Sequence, residues 1–213
     1  MPAAACFDND GLVLETEGAW SRAEVVLFRR HGSEFTDEHK RYLIGSAAQV
    51  AVRKLEEMLG MPGEGEALWE ELHHLVMAEA GRGVEPMPGA IELLDALRVA
   101  GTPIALVSNS AREFVELTLQ TAGVRDRFDV VLAREDVTHP KPAPDLYLDA
   151  CAALGVDPAA CVGLEDTATG IAALNAAGLF SVGVPSFPGV TLEEADLVAA
   201  SLAEEAVHRA LGL

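Results

Sequence analysis

The sequence lacks the features that would point to a membrane protein or a secreted protein. None of its apolar runs approaches the ~20 residues that a membrane-spanning helix needs, although 50% of the residues are hydrophobic. No basic segment precedes an apolar stretch near the N-terminus, so the pattern of a signal peptide is missing. These absences predict a cytoplasmic protein without a membrane partner.

Cysteine and basic residues are also scarce. The three cysteines, Cys6, Cys151 and Cys161, are odd in number and have no CxxC spacing, which favours reduced thiols over disulfides or a zinc site. Lysine and arginine total 15 against 34 acidic residues, and the resulting net charge of −19 disfavours nucleic acid as a partner. A small phosphate could still bind where a metal and a well-placed cation overcome this negative field.

What the sequence does contain is an alternation of strand and helix patterns. The 213 residues are enough for one sizeable core with a smaller appended domain. From Gly101 onward the patterns alternate, which is typical of a parallel sheet covered on both faces. Strands are predicted over 3–7, 103–107, 130–132, 161–164 and 179–184, and a helix is predicted over 145–154.

The segment between Glu17 and about Gly81 has a different pattern, with helices and no convincing strand. Apolar residues recur there at helical spacing. This spacing predicts two buried helical faces, one formed by Ala48, Val52, Leu55 and Leu59 and the other by Leu68, Leu72 and Val76. We therefore expect an α/β core made of residues 1–15 and 83–213, with an all-helical insertion over 16–82.

Two carboxylates, Asp8 and Asp10, follow the first predicted strand. Side chains two residues apart at a strand end point the same way, so both can share one pocket. They would repel each other unless a cation lies between them, and Mg²⁺ is the natural choice for oxygen ligands. An isolated DxDG motif is more often a solvated turn, so this interpretation depends on the rest of the chain.

Polar residues also follow three other predicted strands. Ligands of open parallel sheets bind beyond the carboxyl ends of the strands. The residues at these places are Ser108, Asn109 and Ser110 after the second strand, Lys141 beyond the third, and Glu165 and Asp166 after the fourth. Each has an ordinary structural explanation when taken alone, such as a helix N-terminus or a solvated turn. Their occurrence at successive strand ends indicates a functional site.

These residue types suit phosphoryl transfer, which depends on positioning and on neutralising spread negative charge. Asp8 would attack phosphorus and form an aspartyl phosphate. Asp10 would protonate the leaving oxygen and later activate the acceptor. The phosphoryl group would be bound by Ser108 and its neighbours Asn109 and Ser110.

The remaining candidates supply positive charge and metal ligands. Lys141 would offset the charge of the phosphoryl oxygens and tether the nucleophile. Mg²⁺ would be held by Asp8, the backbone carbonyl of Asp10, Glu165 and Asp166, with waters completing an octahedral shell.

In order and spacing, these motifs resemble those of the haloacid dehalogenase-like (HAD) superfamily. The matching segments are Asp8-x-Asp10-Gly11, Ser108, Lys141 and Glu165-Asp166-Thr167-x-x-Gly170. The resemblance covers essentially the whole chain and implies a Rossmann-like parallel sheet with an inserted helical cap that closes over the site. The dehalogenases that give the superfamily its name resemble this pattern only at the nucleophile. The second aspartate, Asp10, therefore argues against dehalogenase activity.

The resemblance also bears on the phosphoryl acceptor. In β-phosphoglucomutase-like members, a cap arginine follows three residues after a glycine that resembles Gly45, and here that position is Ala48. Trp20 stands where those mutases have a histidine. The run 14–17 instead resembles that of sugar and nucleoside monophosphatases, and by this resemblance Glu17 and Gly45 are candidates for substrate contacts.

We therefore expect a Mg²⁺-dependent phosphatase that acts on a small phosphorylated metabolite, either a sugar phosphate or a nucleoside monophosphate, as a monomer or weak homodimer. A sugar phosphomutase stays open as an alternative, because Arg53 lies one helical turn beyond Ala48 and could supply the missing cation. A non-catalytic Mg²⁺-binding interaction protein is a second alternative, although the chain keeps both the nucleophile and the lysine.

Overall fold

A computed structural model of the protein describes residues 1–43, 48–187 and 189–213. The chain divides into two compact units: Met1–Glu15 together with Val84–Leu213, and Thr16–Gly83. We call these the core unit and the helical unit. Within the described residues, none of the helices has the length and apolar character needed to cross a membrane.

The core unit contains a six-stranded sheet in which every neighbouring pair is parallel, with strand order β5-β4-β1-β6-β7-β8. A separate antiparallel ribbon pairs β2 with β3. The strands are β1 (Ala5–Phe7), β2 (Leu14–Glu15), β3 (Glu85–Pro86), β4 (Ile104–Val107), β5 (Val130–Leu132), β6 (Val162–Glu165), β7 (Phe180–Gly183) and β8 (Leu197–Val198). The predicted Rossmann-like α/β class is confirmed. The two-residue strands β2, β3 and β8 were not predicted, because they are too short to show a period.

Helices surround this sheet and also form the helical unit. In chain order they are α1 (Glu17–Arg30), α2 (Asp37–Leu43), α3 (Ala48–Leu59), α4 (Gly65–Ala80), α5 (Ala90–Ala100), α6 (Arg112–Thr121), α7 (Asp145–Leu154), α8 (Ala168–Ala177) and α9 (Glu205–Ala210). Short 3₁₀ helices cover Arg125–Arg127, Arg134–Asp136 and Pro158–Ala160. The predicted helix over 145–154 matches α7.

The central strands of the sheet are buried because they carry uninterrupted apolar residues. Every residue of β1 and of β4 is buried, as a sheet covered on both faces requires. The cluster beside these strands includes Leu174 of α8 and the three cysteines, which are free thiols. The polar loops at the strand ends therefore rest on a buried apolar cluster.

In the helical unit, α1 packs against α4. The predicted α4 face is confirmed, since Leu68, Leu72 and Val76 are all buried. In α3, Leu55 is buried as predicted, together with Ala51, while Val52 and Leu59 are only half-buried. The side chain of Ala48, the fourth member of the predicted face, lies outside what the structure describes.

Candidate active site

The central strands bring the candidate residues to one edge of the sheet. β1 lies between β4 and β6, and Phe7 is in register with Leu106 of β4 and Leu164 of β6. The chain leaves these three strands in the same direction because they are parallel. The polar residues gathered there are Asp8, Asp10, Ser108, Glu165 and Asp166.

Lys141 lies in the loop that leads to α7, and its ammonium group joins two of these carboxylates. Its Nζ is 2.6 Å from Asp8 Oδ1 and 2.6 Å from Glu165 Oε1, and it also donates to the carbonyl of Val107 at 3.0 Å. All three charged groups are buried. Tyr147 donates its hydroxyl to the same Glu165 oxygen at 2.6 Å. Lys141 is thus held as a fixed positive charge beside the candidate nucleophile.

Sequence reasoning did not single out Tyr147. The residue sits on the apolar face of α7 and is completely buried, so its pattern is that of an ordinary core aromatic. The one available signal is its position six residues after Lys141, because a helix that begins near the lysine can turn this ring back toward it. The Lys141 ammonium lies 5.1 Å from the centroid of the Tyr147 ring.

Asp10 is bound by the serines that follow β4. Ser108 and Ser110 donate their hydroxyl protons to Asp10 Oδ2 at 2.9 and 2.8 Å. The backbone N–H of Ser110 in turn donates to Ser108 Oγ at 2.9 Å. The carboxylate of Asp10 is therefore held by two hydroxyl donors, whereas that of Asp8 is held by the Lys141 ammonium.

Asn109 contacts the main chain of Lys141. Its side-chain amide donates to the Lys141 carbonyl at 3.1 Å and accepts from the Lys141 N–H at 3.0 Å. The sequence had suggested Asn109 and Ser110 as substrate ligands. In this structure the two side chains contact Lys141 and Asp10, and their contact with substrate stays a prediction.

Two glycines allow the close approaches that the site needs. Gly11 has a φ of 82°, and a Cβ there would lie 2.4 Å from Asp166 Oδ2. A Cβ on Gly170 would lie 1.8 Å from Glu165 Cδ. The first turn of α8, capped by the Thr167 hydroxyl that accepts from the Gly170 N–H, therefore packs directly against a site carboxylate.

Three carboxylates form a group that could hold a cation. Asp8, Glu165 and Asp166 each offer an oxygen, and these oxygens all lie within 4.8 Å of one another. Asp166 Oδ2 accepts from Ser186 Oγ at 2.6 Å, whereas its buried Oδ1 has no hydrogen-bond partner among the described residues. A buried carboxylate oxygen without a partner is costly. A hard divalent cation would satisfy it, and the all-oxygen donor set fits Mg²⁺.

The electrostatics of the site agree with this fit. Burial raises the pKa of Asp8 well above its usual value; the ammonium of Lys141 opposes this shift, while Glu165 and Asp166 add to it. Burial and the neighbouring Glu165 raise the pKa of Asp166 to about 7. Burial also disfavours the charge of Lys141, but Asp8 and Glu165 outweigh it and the pKa of the lysine is raised. The site thus contains one ammonium and three carboxyl groups, and this excess of acidic groups favours the binding of a cation.

This arrangement of residues can be compared with known proteins. The family model of haloacid dehalogenase-like hydrolases matches residues 2–178. The chain belongs to the haloacid dehalogenase-like hydrolases. The resemblance of its motifs to that superfamily is thereby confirmed.

Relatives of this hydrolase include named phosphatases. It is 32% identical to validoxylamine A 7'-phosphate phosphatase of Streptomyces hygroscopicus subsp. limoneus, over 96% of both chains. It is also 32% identical to hexitol phosphatase B of Escherichia coli K12, over 86% of this chain and 83% of that one. Among solved structures, β-phosphoglucomutase of Clostridium difficile aligns with a TM-score of 0.79 and 25% identity, covering 99% and 96% of the two chains.

Together with the family, the phosphatase relatives show that this hydrolase is a phosphoric monoester hydrolase. The non-catalytic alternative is therefore wrong. The six residues predicted for catalysis and metal binding, namely Asp8, Asp10, Ser108, Lys141, Glu165 and Asp166, lie together in the core unit.

The other two predicted substrate ligands belong to the segment of the helical unit. Glu17 begins α1 and forms an ion pair with Lys40 of α2. Lys40 also contacts the buried Glu24 at 2.8 Å. Gly45 lies outside the described residues. Substrate contacts from Glu17 and Gly45 stay predictions.

Proposed function

We propose that this phosphatase is Mg²⁺-dependent and hydrolyses a sugar phosphate or a nucleoside monophosphate through an aspartyl phosphate on Asp8. The observation that carries the proposal is the buried Lys141 ammonium 2.6 Å from Asp8 Oδ1, next to an acid–base candidate, Asp10, that is held separately. A fixed positive charge beside a carboxylate is what attack on an anionic phosphate ester requires.

The chemistry would proceed in two steps. An Asp8 oxygen attacks phosphorus while the bond from phosphorus to the ester oxygen breaks, and Asp10 gives its proton to that leaving oxygen. Asp10 then takes a proton from water, which attacks the same phosphorus and releases inorganic phosphate and the Asp8 carboxylate. Lys141 keeps the Asp8 carboxylate oriented and offsets the charge of the phosphoryl oxygens.

The acidic group of Asp8, Glu165 and Asp166 would hold Mg²⁺, with the backbone carbonyl of Asp10 as a further predicted ligand. When bound, Mg²⁺ supplies positive charge to the phosphoryl oxygens and orients them for in-line displacement. Chelation by EDTA should abolish turnover and Mg²⁺ should restore it. Ca²⁺, which is larger and less regular in coordination, should bind without supporting the rate.

Asp8→Asn tests the covalent step. The variant should fold normally, because it relieves repulsion among buried carboxylates, and it should release no phosphate from p-nitrophenyl phosphate. Asp126→Asn, the same substitution at an exposed position of the core unit, is the matched control and should keep full activity. Rapid quenching followed by peptide mass analysis should find a phosphoryl group on the peptide that contains Asp8. Appreciable turnover by a well-folded Asp8→Asn protein would contradict the mechanism.

The substrate class is proposed from the phosphatase relatives, whose names include a validoxylamine phosphate and hexitol phosphates as substrates. A screen of sugar phosphates, nucleoside monophosphates and small phosphorylated acids with phosphate detection would identify the substrate. We also propose that the enzyme acts in the cytoplasm as a monomer or weak homodimer. Light scattering over a range of concentrations tests the oligomeric state.

Transfer to a second sugar hydroxyl is the alternative reaction, and the likeness to a β-phosphoglucomutase is the observation that favours testing it. β-Glucose 1-phosphate with a catalytic amount of the 1,6-bisphosphate separates the two reactions. A phosphatase releases inorganic phosphate, whereas a mutase accumulates glucose 6-phosphate.

A further inference from the structure

Two serine hydroxyls converge on a single oxygen of Asp10. Ser108 Oγ and Ser110 Oγ donate to Asp10 Oδ2 at 2.9 and 2.8 Å, while Asn9 Nδ2 lies 3.3 Å from Oδ1. The lone pairs of Oδ2 are therefore engaged by two donors, since an oxygen of a carboxyl group accepts about two hydrogen bonds. A donor that stays on Oδ2 keeps the carboxyl group oriented, so that Oδ1 is the oxygen that presents the acid–base proton.

The two serines are not equivalent. Ser108 Oγ accepts from the Ser110 N–H at 2.9 Å, and a hydroxyl has only one proton to donate. If Ser108 gives that proton to a phosphoryl oxygen, as its predicted role requires, its bond to Asp10 is lost. Ser110 then becomes the remaining serine that holds Asp10 Oδ2.

We infer that Ser110 is a positioning residue for Asp10, rather than a ligand of the phosphoryl group. Its hydroxyl anchors Oδ2 while substrate is bound, so that Oδ1 presents the proton to the leaving oxygen. This inference rests on the proposed acid–base role of Asp10. It predicts that loss of the Ser110 hydroxyl slows the cleavage of the ester only where the leaving group needs a proton.

Leaving-group dependence gives the test. p-Nitrophenolate departs as a stable anion, whereas the alkoxide of β-glycerol phosphate must be protonated as it leaves. The quantity to measure is kcat/KM, because it covers the steps through cleavage of the ester and is independent of the later hydrolysis of the phosphoenzyme. Ser110→Ala should lower kcat/KM for β-glycerol phosphate by about tenfold, and for p-nitrophenyl phosphate by less than about twofold.

Three further variants complete the experiment. Ser110→Thr keeps the hydroxyl and should restore most of the rate with the alkyl ester. Ser110→Gly provides a second hydroxyl deletion in case alanine disturbs the fold, and should show the same selectivity. Ser201→Ala removes a serine hydroxyl of the core unit that contacts the Pro88 carbonyl at 3.3 Å, and should leave both rates unchanged.

The outcomes separate this inference from the proposed function. Equal losses with both esters would show that Ser110 binds the shared phosphoryl group or supports the fold, and would overturn the inference. Asp10→Asn serves as the reference and should show the leaving-group selectivity strongly. If Asp10→Asn is selective and Ser110→Ala is not, the inference alone fails. If Asp10→Asn is not selective either, the acid–base role of Asp10 fails and the inference fails with it.

Discussion

Asn109 and Lys141 form a reciprocal pair of hydrogen bonds between a side-chain amide and a main chain, with lengths of 3.1 and 3.0 Å. The pair joins the loop after β4 to the loop before α7. It fixes the main chain from which the Lys141 side chain reaches Asp8 and Glu165. Asn109, which the sequence predicts as a substrate ligand, therefore also supports the lysine.

Replacing Asn109 should misplace Lys141 without removing it. We expect Asn109→Ala to lower kcat for p-nitrophenyl phosphate by roughly tenfold. This loss corresponds to the net free energy that about one hydrogen bond contributes to holding Lys141 in place. Lys141→Ala should cost several orders of magnitude, because it removes the cation next to the nucleophile. The double variant should be no slower than Lys141→Ala, since Asn109 acts through that lysine. Additive losses would show that Asn109 acts independently of Lys141.

Gly170 is expected to tolerate no side chain. The Cβ of alanine would lie 1.8 Å from Glu165 Cδ, so Gly170→Ala must displace either the carboxylate or the first turn of α8. We expect roughly 1–3 kcal/mol of destabilisation and a large loss of Mg²⁺ affinity, measured by chemical denaturation and by calorimetry.

Gly81→Ala is the matched control for this prediction. Gly81 has a φ of −64°, and the nearest atom to an added Cβ is the Met77 carbonyl oxygen at 3.3 Å. Stability and Mg²⁺ binding should both stay near their original values. Normal Mg²⁺ affinity in the Gly170→Ala protein would contradict a tight fit between α8 and Glu165.

Mg²⁺ binding should depend on pH because Asp166 has a raised pKa. Burial and Glu165 raise the pKa of Asp166 from 3.8 to about 7. Between these values the folded protein holds a proton that the unfolded chain has lost, so this group makes the metal-free protein less stable as pH rises. Mg²⁺ must displace the same proton. The affinity for Mg²⁺ should therefore increase as the pH rises toward about 7.

Thermal unfolding with and without Mg²⁺ at a series of pH values measures this dependence. Ser186→Ala provides the comparison, because the hydrogen bond from Ser186 lowers the pKa of Asp166. Its loss should move the pH dependence to higher pH. A stabilisation by Mg²⁺ that is constant from pH 5 to 8 would show that Asp166 does not release a proton on binding.

The acceptor of the phosphoryl group should be water. With β-glucose 1-phosphate and a catalytic amount of the 1,6-bisphosphate, the unmodified enzyme should release phosphate without accumulating glucose 6-phosphate, because alanine rather than arginine occupies position 48. Ala48→Arg should raise the affinity for bisphosphorylated sugars by roughly 1.5–3 kcal/mol through a charge-assisted contact. Efficient isomerisation by the unmodified enzyme would overturn the phosphatase proposal and direct attention to Arg53.

The sequence by itself determined the α/β class and the residues that gather at the strand ends. The carboxyl ends of parallel strands lie at the same edge of a sheet. Polar residues that directly follow buried apolar strands are therefore expected to lie at that edge. This reasoning predicts that Asp8, Ser108 and Glu165 lie together. It needed only the period of each element and the rule for ligand position in parallel sheets.

Only the tertiary structure decided which hydrogen bonds these residues make. Tyr147 and Ser186 carry no motif, and their contacts with Glu165 and Asp166 depend on how α7 and the loop after β7 fold back over the sheet. Asn109 and Ser110 were assigned to substrate, yet their partners are Lys141 and Asp10. The periodicity of a strand predicts where that strand ends. A side-chain hydrogen bond depends on atomic positions accurate to a few tenths of an ångström, and the local sequence pattern does not contain this information.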